Sequence, residues 1–331
     1  MQNQLLIDIF NYLSYSLDEI INALIMKKDN ISRRKFLGTI TAGTGSILLA
    51  NATSGSIIKP SSDPFQKVKL GNTGIKTSLI GFGTGYTGGN RECNMTRAGK
   101  EKGVALLRYG WDRGIRMFDG ADLYGTHPFI AEALKDKPRE DFVLVSKIWV
   151  RPGGIPEPER PDANIVVDRF RKELNTDYID IMQIHCMVDT EWTDQQKKQM
   201  DILQDLKDKG IIRSHGVSIH SKDALNACVT SPWVDIVHTR LNAYGDAMDD
   251  KNPDNVLSIV KKIHDAKKGV IGMKLIGNGN FRNDPEKIEK SLHYVLKSKA
   301  VDMMIVGFEE KWQIDNYAER VENALKTINR A

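Results

Sequence analysis

From residue 66 onward, short apolar runs alternate with longer runs in which apolar residues recur at helical spacing. The first two short runs, Lys67–Leu70 and Ile75–Thr77, flank Gly71-Asn72-Thr73-Gly74 and read as a hairpin. Eight strand candidates follow: Leu79–Phe82, Arg116–Asp119, Phe142–Lys147, Tyr178–His185, Ile212–Ser218, Val234–Thr239, Gly269–Lys274 and Val301–Val306. Between them lie amphipathic stretches such as Gly103–Arg113, Ile165–Leu174, Gln195–Lys209 and Val256–Ala266, closed by glycines or turn clusters, as at Gly114 and Gly210. Strand then helix, repeated over about 260 residues, predicts an α/β protein: a (β/α)8 TIM barrel with an N-terminal β-hairpin. A doubly wound sheet would carry G-x-G-x-x-G after its first strand, but Gly81-Phe82-Gly83-Thr84-Gly85-Tyr86 has Tyr86 where the third glycine belongs.

Barrels of this kind do chemistry at the C-terminal ends of their strands. The second strand ends in Asp119, the third in Ser146-Lys147 and the fourth in His185, with Tyr124 in the loop above the second. Each alone reads as a cap, a solvated charge or a hydrogen-bonded core histidine. Together they aim an acid, a base and an imidazole at one mouth. Asp119 and Lys147 end apolar strands, so a buried ion pair is expected, and such pairs are costly without a role. Carbonyl reduction by hydride from a nicotinamide suits this set. The reacting oxygen gains charge and needs a proton, which a tyrosine can give if an ammonium lowers its pKa. An imidazole N–H orients the carbonyl.

Phe118-Asp119-Gly120-Ala121-Asp122-Leu123-Tyr124-Gly125 resembles the D-x-A-x-x-Y-G signature of the aldo-keto reductases. Val145-Ser146-Lys147, Ile179 to His185, and the hairpin segment Leu70 to Ser78 are similar to that family's lysine strand, histidine strand and N-terminal hairpin. The resemblance covers about residues 66–328. It implies Tyr124 as general acid/base, Lys147 and Asp119 as its tuning pair, and His185 as carbonyl orienter. It also implies NADP or NAD as cofactor, with contacts from Gly83, Thr84, Ser218, His238, Met273, Lys274, Leu275, Gly307 and Asn316. Several positions depart from the family: Ile219 for an asparagine, His238 for a glutamine, Met273 for an aromatic. Where NADP-using members carry basic residues, this chain has Glu309-Glu310-Lys311-Trp312, so the 2′-phosphate preference stays open.

The substrate is expected to be a small carbonyl or alcohol compound, a sugar among the candidates, with Trp149 in the Pro/Gly-rich loop Ile148–Pro158 as a pocket wall. A metal-dependent barrel hydrolase could use His185, His220, His238, Lys147 and Asp119, but its usual His-x-His on strand one is missing from Leu79 to Thr84. A non-catalytic nucleotide-sensing barrel is the other alternative.

Composition adds exclusions. The chain has 331 residues, 40% hydrophobic and 27% charged, with net charge +4, a globular profile and not a disordered or multi-span membrane one. The basic residues form no stripe for nucleic acid, and Cys93, Cys186 and Cys228 give neither a disulfide framework nor a CxxC pair.

The N-terminal region reads as an address. Ser32-Arg33-Arg34-Lys35-Phe36-Leu37-Gly38, the mildly apolar run Thr39–Leu49 and Ala50-Asn51-Ala52 resemble a twin-arginine (Tat) signal with its cleavage site. The run is too short for a stable membrane span. Residues 1–52 are thus expected to be a leader read by the Tat export machinery, 53–65 a linker and 66–331 the barrel, working in the periplasm; an inactive signal would leave it cytoplasmic. Residues 1–25 read either as an amphipathic helix (Leu5, Leu6, Ile9, Leu13) or as sequence upstream of a true start at Met26.

Overall fold

In a computed structural model, residues 61–86 and 88–330 are described; the leader, the twin-arginine segment and most of the linker lie outside them. Strands β1 (Lys67–Lys69) and β2 (Lys76–Ser78) form the antiparallel hairpin. The barrel strands are β3 (Ile80–Gly83), β4 (Met117–Asp119), β5 (Val143–Ile148), β6 (Ile179–Met187), β7 (Ile212–Ile219), β8 (Ile236–Arg240), β9 (Gly269–Met273) and β10 (Met303–Val306). They pair in parallel and in chain order, and β10 closes onto β3. Among the described residues the principal helix after each strand is, in turn, α1 (Lys100–Arg113), α2 (His127–Leu134), α3 (Ala163–Leu174), α4 (Lys197–Asp208), α5 (Lys222–Thr230), α6 (Pro253–Asp265), α7 (Pro285–Ser298) and α8 (Lys311–Ile328). The expected (β/α)8 barrel with its hairpin is therefore the observed one.

Two apolar clusters hold it. The larger lies between strands and helices; α3, for example, buries Val166, Val167, Phe170 and Leu174 along one face and ends on Asn175 at φ 50°. The smaller fills the barrel, with Met117, Val145, Ile181 and Ile271 among its members. Leu70 and Ile75 join it, so the hairpin plugs the bottom. Only glycine fits the turn: Gly71 has φ 47°, and a Cβ there would lie 2.5 Å from the backbone of Lys267 to Gly269. Phe65 packs on the core, and the Ser61 carbonyl accepts from Asn329 Nδ2 at 3.2 Å.

With the bottom plugged and the lower interior apolar, polar side chains enter only near the top. Strand alternation turns Met117 inward, Phe118 outward and Asp119 inward; by the same parity Val145 and Lys147 face inward on β5.

Candidate active site

Lys147 Nζ donates to Asp119 and, at 2.9 Å, to the Gly120 carbonyl; both side chains are almost fully buried. Thr84 fixes the end of β4 from the neighbouring strand, its hydroxyl donating to the Asp119 carbonyl at 2.8 Å and its amide bonding the same oxygen at 3.1 Å. His185 arrives on β6 just where the pairing with β7 slips between Ile184 and Met187, and where Cys186 adopts φ 64°. Such a bulge re-aims side chains, and here it turns the imidazole over the mouth. Tyr124 ends the single 3₁₀ turn Asp122–Tyr124. Asp122 anchors that turn, accepting from Arg91 Nε at 3.0 Å and Arg169 Nη2 at 2.7 Å. The Tyr124 ring lies so close to Gly85 that a Cβ there would stand 2.2 Å from it. Tyr124 Oη and His185 Nε2 meet at 3.3 Å, and Lys147 Nζ lies 5.3 Å from the tyrosine ring centre.

The three strand-end residues and Tyr124, all named from the sequence, thus converge. Their electrostatics differ from expectation in one respect. The anticipated lowering of the Tyr124 pKa by Lys147 is not what this arrangement produces. Burial pushes the phenol well above its usual value, and the Asp119 carboxylate pushes it further. The ammonium is directed instead at Asp119 and Gly120. Burial opposes ionisation of Asp119, but Lys147 and then His238 outweigh it and hold the carboxyl below its ordinary range. Burial and the nearby Lys147 hold His185 well below its ordinary value, so it is a neutral imidazole at pH 7. Its Nδ1 has no hydrogen-bond partner among the described residues, leaving Nε2 as its polar outlet toward Tyr124.

Beside these residues runs a cleft of about 690 Å³. Gly83, Thr84, Ser218, Met273, Lys274, Leu275, Gly307 and Asn316 line it, together with Asp119, Tyr124, Lys147 and His185. Lys274 Nζ reaches only the neutral Asn278 amide, at 2.8 Å, so its charge is available to a phosphate. Ser218 Oγ accepts from the Cys186 amide at 2.8 Å at the edge of the same cleft. A cleft of this volume, lined by an apolar thioether, an ammonium and glycine backbone, fits a dinucleotide. His238 sits apart from these. It is fully buried, does not line the cleft, and lies 3.4 Å from Asp119 Oδ1, supporting the ion pair from below. Trp149 is also outside the cleft's lining; its ring stands 5.2 Å from that of His185, and its Nε1 donates to the Gly153 carbonyl at 2.5 Å. Tyr86, Asn94, Lys102 and Arg282 line the cleft without having been anticipated. They come from loops and a helix with no linear motif.

The aldo/keto reductase family model matches residues 79–291, and the chain belongs to that family. It is 29% identical to probable aldo-keto reductase 1 of Glycine max over 48% of this chain and 46% of that one, so it spans about half of that relative. It is 23% identical to the uncharacterized oxidoreductase YqkF of Bacillus subtilis over 80% of this chain and 95% of that one. The aldo-keto reductase of Klebsiella pneumoniae, solved in complex with NADPH, superposes with a TM-score of 0.59 at 17% identity, covering 80% of this chain and 94% of that one. The protein is accordingly an oxidoreductase that uses NADP or NAD. The family match gives no support to the metal-dependent hydrolase or the non-catalytic sensor, and no group of three or more potential metal ligands occurs among the described residues.

Proposed function

We propose that the chain interconverts small carbonyl compounds and their alcohols, with Tyr124 passing the proton. The observation that carries this reading is the meeting of Tyr124 Oη and His185 Nε2 at 3.3 Å above the buried Lys147–Asp119 pair, beside a dinucleotide-sized cleft. A dinucleotide held along the cleft by Gly83, Thr84, Lys274 and Asn316 would supply hydride chemistry for the carbonyl carbon. Tyr124 gives its hydroxyl proton to the oxygen, and solvent restores it. Neutral His185 offers Nε2–H to the same oxygen, orienting it and sharing its charge. Asp119 holds the Lys147 ammonium beneath, and His238 braces Asp119. The raised phenol pKa keeps Tyr124 protonated, and the transfer remains downhill because an alkoxide is a far stronger base than a phenolate. Loss of reduced-nicotinamide absorbance with a panel of aldehydes, ketones and sugars tests the reading. No turnover of any of them would overturn it.

We assign the cofactor preference to NAD(H). Glu309 and Glu310 both line the Asn316 end of the cleft. Glu310 is occupied by Lys102, while Glu309 accepts from Asn94 Nδ2 at 2.7 Å. Lys311 is turned away, its ammonium 5.3 Å from the Tyr109 ring, and Trp312 is 62% exposed. A 2′-phosphate would meet carboxylates there. Glu309→Gln is therefore expected to tighten NADPH binding about threefold to fivefold and to change NADH binding less than twofold, a surface-level charge effect of about 1 kcal/mol. Calorimetric titration checks it; tighter binding of NADPH than NADH by the unaltered chain would sink the assignment.

The leader carries a second part of this reading: the protein folds around its dinucleotide, leaves the cytoplasm by a twin-arginine route and works in the periplasm. A charged dinucleotide does not cross membranes freely, so an exported reductase that released its cofactor each cycle would stall. Retention solves this if one alcohol is oxidised and another carbonyl reduced in turn, which suits sugars and other polyhydroxylated compounds. Arg33→Lys with Arg34→Lys should trap the precursor inside the cell, and mature protein should carry dinucleotide through gel filtration. Export of the double variant would remove the routing; an empty, fast-exchanging site would remove the retention. No helix among the described residues is long and apolar enough to cross a membrane.

A further inference from the structure

The mouth of the barrel carries more positive charge than the reduction of a neutral carbonyl requires. Lys147 is matched by Asp119 and Arg240 by Asp249. Lys274, Arg282 and Arg151 are left over, and none of the three forms an ion pair among the described residues. Lys274 lines the cleft and faces the cofactor's phosphates in the reading above. Arg151 does not line that cleft. It belongs to the loop after β5, on the Trp149 side of His185.

Arg151 is held there by weak partners. Its Nη1 donates to Cys186 Sγ at 3.0 Å and to the Cys186 carbonyl at a long 3.4 Å. Its Cζ lies 5.9 Å from the Trp149 ring centre, and that ring stands 5.2 Å from the His185 ring. The guanidinium is thus one aromatic ring away from the imidazole that orients the carbonyl. It is half-buried, and among the described residues its Nη2 and Nε have no hydrogen-bond partner. A guanidinium presents a fork matched to the two oxygens of a carboxylate or phosphate, so an edge left without an anion is chemically incomplete. His220 reports the same field. It lines the cleft and touches Cys186 Sγ through Nδ1 at 2.9 Å. Burial, then Arg240, Lys274, Arg151 and Lys147, hold its pKa down to about 3.

We propose that Arg151 anchors an anionic oxygen group, a carboxylate or a phosphate, on the carbonyl or alcohol substrate. The proposal rests on the reductase reading of the same mouth and adds the substrate's chemical class. Trp149 then forms the floor along which the substrate lies, between the anchored anion and the reacting oxygen at Tyr124 and His185. Arg151 acts by binding and takes no part in the proton transfer.

The test is calorimetric binding of glucose, glucuronate and glucose 6-phosphate to the dinucleotide-loaded chain, compared with Arg151→Met and Arg151→Lys. One or both anions should bind at least about tenfold tighter than glucose, the size of a charge-assisted hydrogen bond. Glucuronate alone would assign the carboxylate; glucose 6-phosphate alone would assign the phosphate. Arg151→Met should erase the preference, and Arg151→Lys, which keeps the charge and loses the fork, should keep part of it. The preference should weaken with added salt, because a half-exposed pair is screened. For an anionic substrate that turns over, Arg151→Met should raise KM and leave kcat nearly unchanged. A merely structural role at the Cys186 carbonyl would instead lower affinity for all three compounds together. Equal affinities, binding of neither anion, or a preference that survives in Arg151→Met would each overturn the proposal. The binding arm does not depend on Tyr124. A Tyr124→Phe variant that turned over normally, with the anion preference intact, would sink the proton-transfer reading and leave Arg151 standing.

Discussion

Tyr124→Phe is expected to lower carbonyl turnover at least about a hundredfold, the lower range for loss of a general acid. Dinucleotide affinity should stay within about twofold. The substitution keeps the ring against Gly85 and removes the hydroxyl that meets His185 Nε2 at 3.3 Å. The pH dependence sharpens the test. Burial and Asp119 raise the phenol's pKa, so the hydroxyl stays protonated through neutral and moderately alkaline solution. Reduction by the unaltered enzyme should therefore be flat across that range. His185 loses its charge only well below its usual range and stays neutral there too, so it adds no step. Oxidation of the alcohol needs the phenolate, or a base that takes the phenol's proton, and should climb steadily with pH. The Phe variant should lose that alkaline climb along with the rate. Stopped-flow measurement of nicotinamide absorbance, in both directions, checks both parts; turnover within threefold of the unaltered chain would exclude Tyr124 as the acid.

The barrel was legible because its strands and helices differ in period, and because each strand ends in a turn cluster. Asp119, Lys147 and His185 were legible for a related reason. Polar residues closing apolar strands have few places to go except the open end of a barrel. The depth of His238 was not legible, because position along a strand does not give depth. β8 pairs His238 with Ser218, and alternation turns it inward beneath Asp119, away from the cleft. The direction of the Tyr124 pKa was hidden for another reason. It is set first by how deeply the phenol is buried and then by the Asp119 carboxylate beside it, and neither depth nor that approach can be read along the chain. Asp122 gave no usable signal along the chain. An acid inside the motif that carries Tyr124, with Arg91 and Arg169 far off in sequence, is visible as an anchor only once the helices are folded together.

Lys147→Met is expected to abolish activity and to destabilise the fold by about 3–5 kcal/mol at neutral pH, the cost of stranding one member of a buried ion pair. The methionine keeps the stem's volume, so packing loss is minor. What remains is a carboxylate at 3% exposure with the neutral, fully buried His238 as its nearest polar neighbour. The sign of the pH effect follows. With Lys147 present, the Asp119 pKa is depressed, so the pair's stabilisation is present above the unfolded carboxyl value of about 3.9 and fades as pH falls through the lower folded value. Without Lys147, burial makes protonation of Asp119 favourable in the fold, which raises its folded pKa above the unfolded one. The variant's deficit should then shrink on acidification through that raised value, where the unaltered chain gains nothing. Asp119→Asn added to Lys147→Met removes the stranded charge and should recover most of the stability while restoring no turnover. Thermal and urea unfolding across pH measure the cycle, in buffers of constant ionic strength so that screening does not vary. A double variant no more stable than Lys147→Met alone would mean that the pair is not what holds this end of the barrel. Recovery of stability without rate would show that the charge is retained for the chemistry above it, since the fold does as well without it.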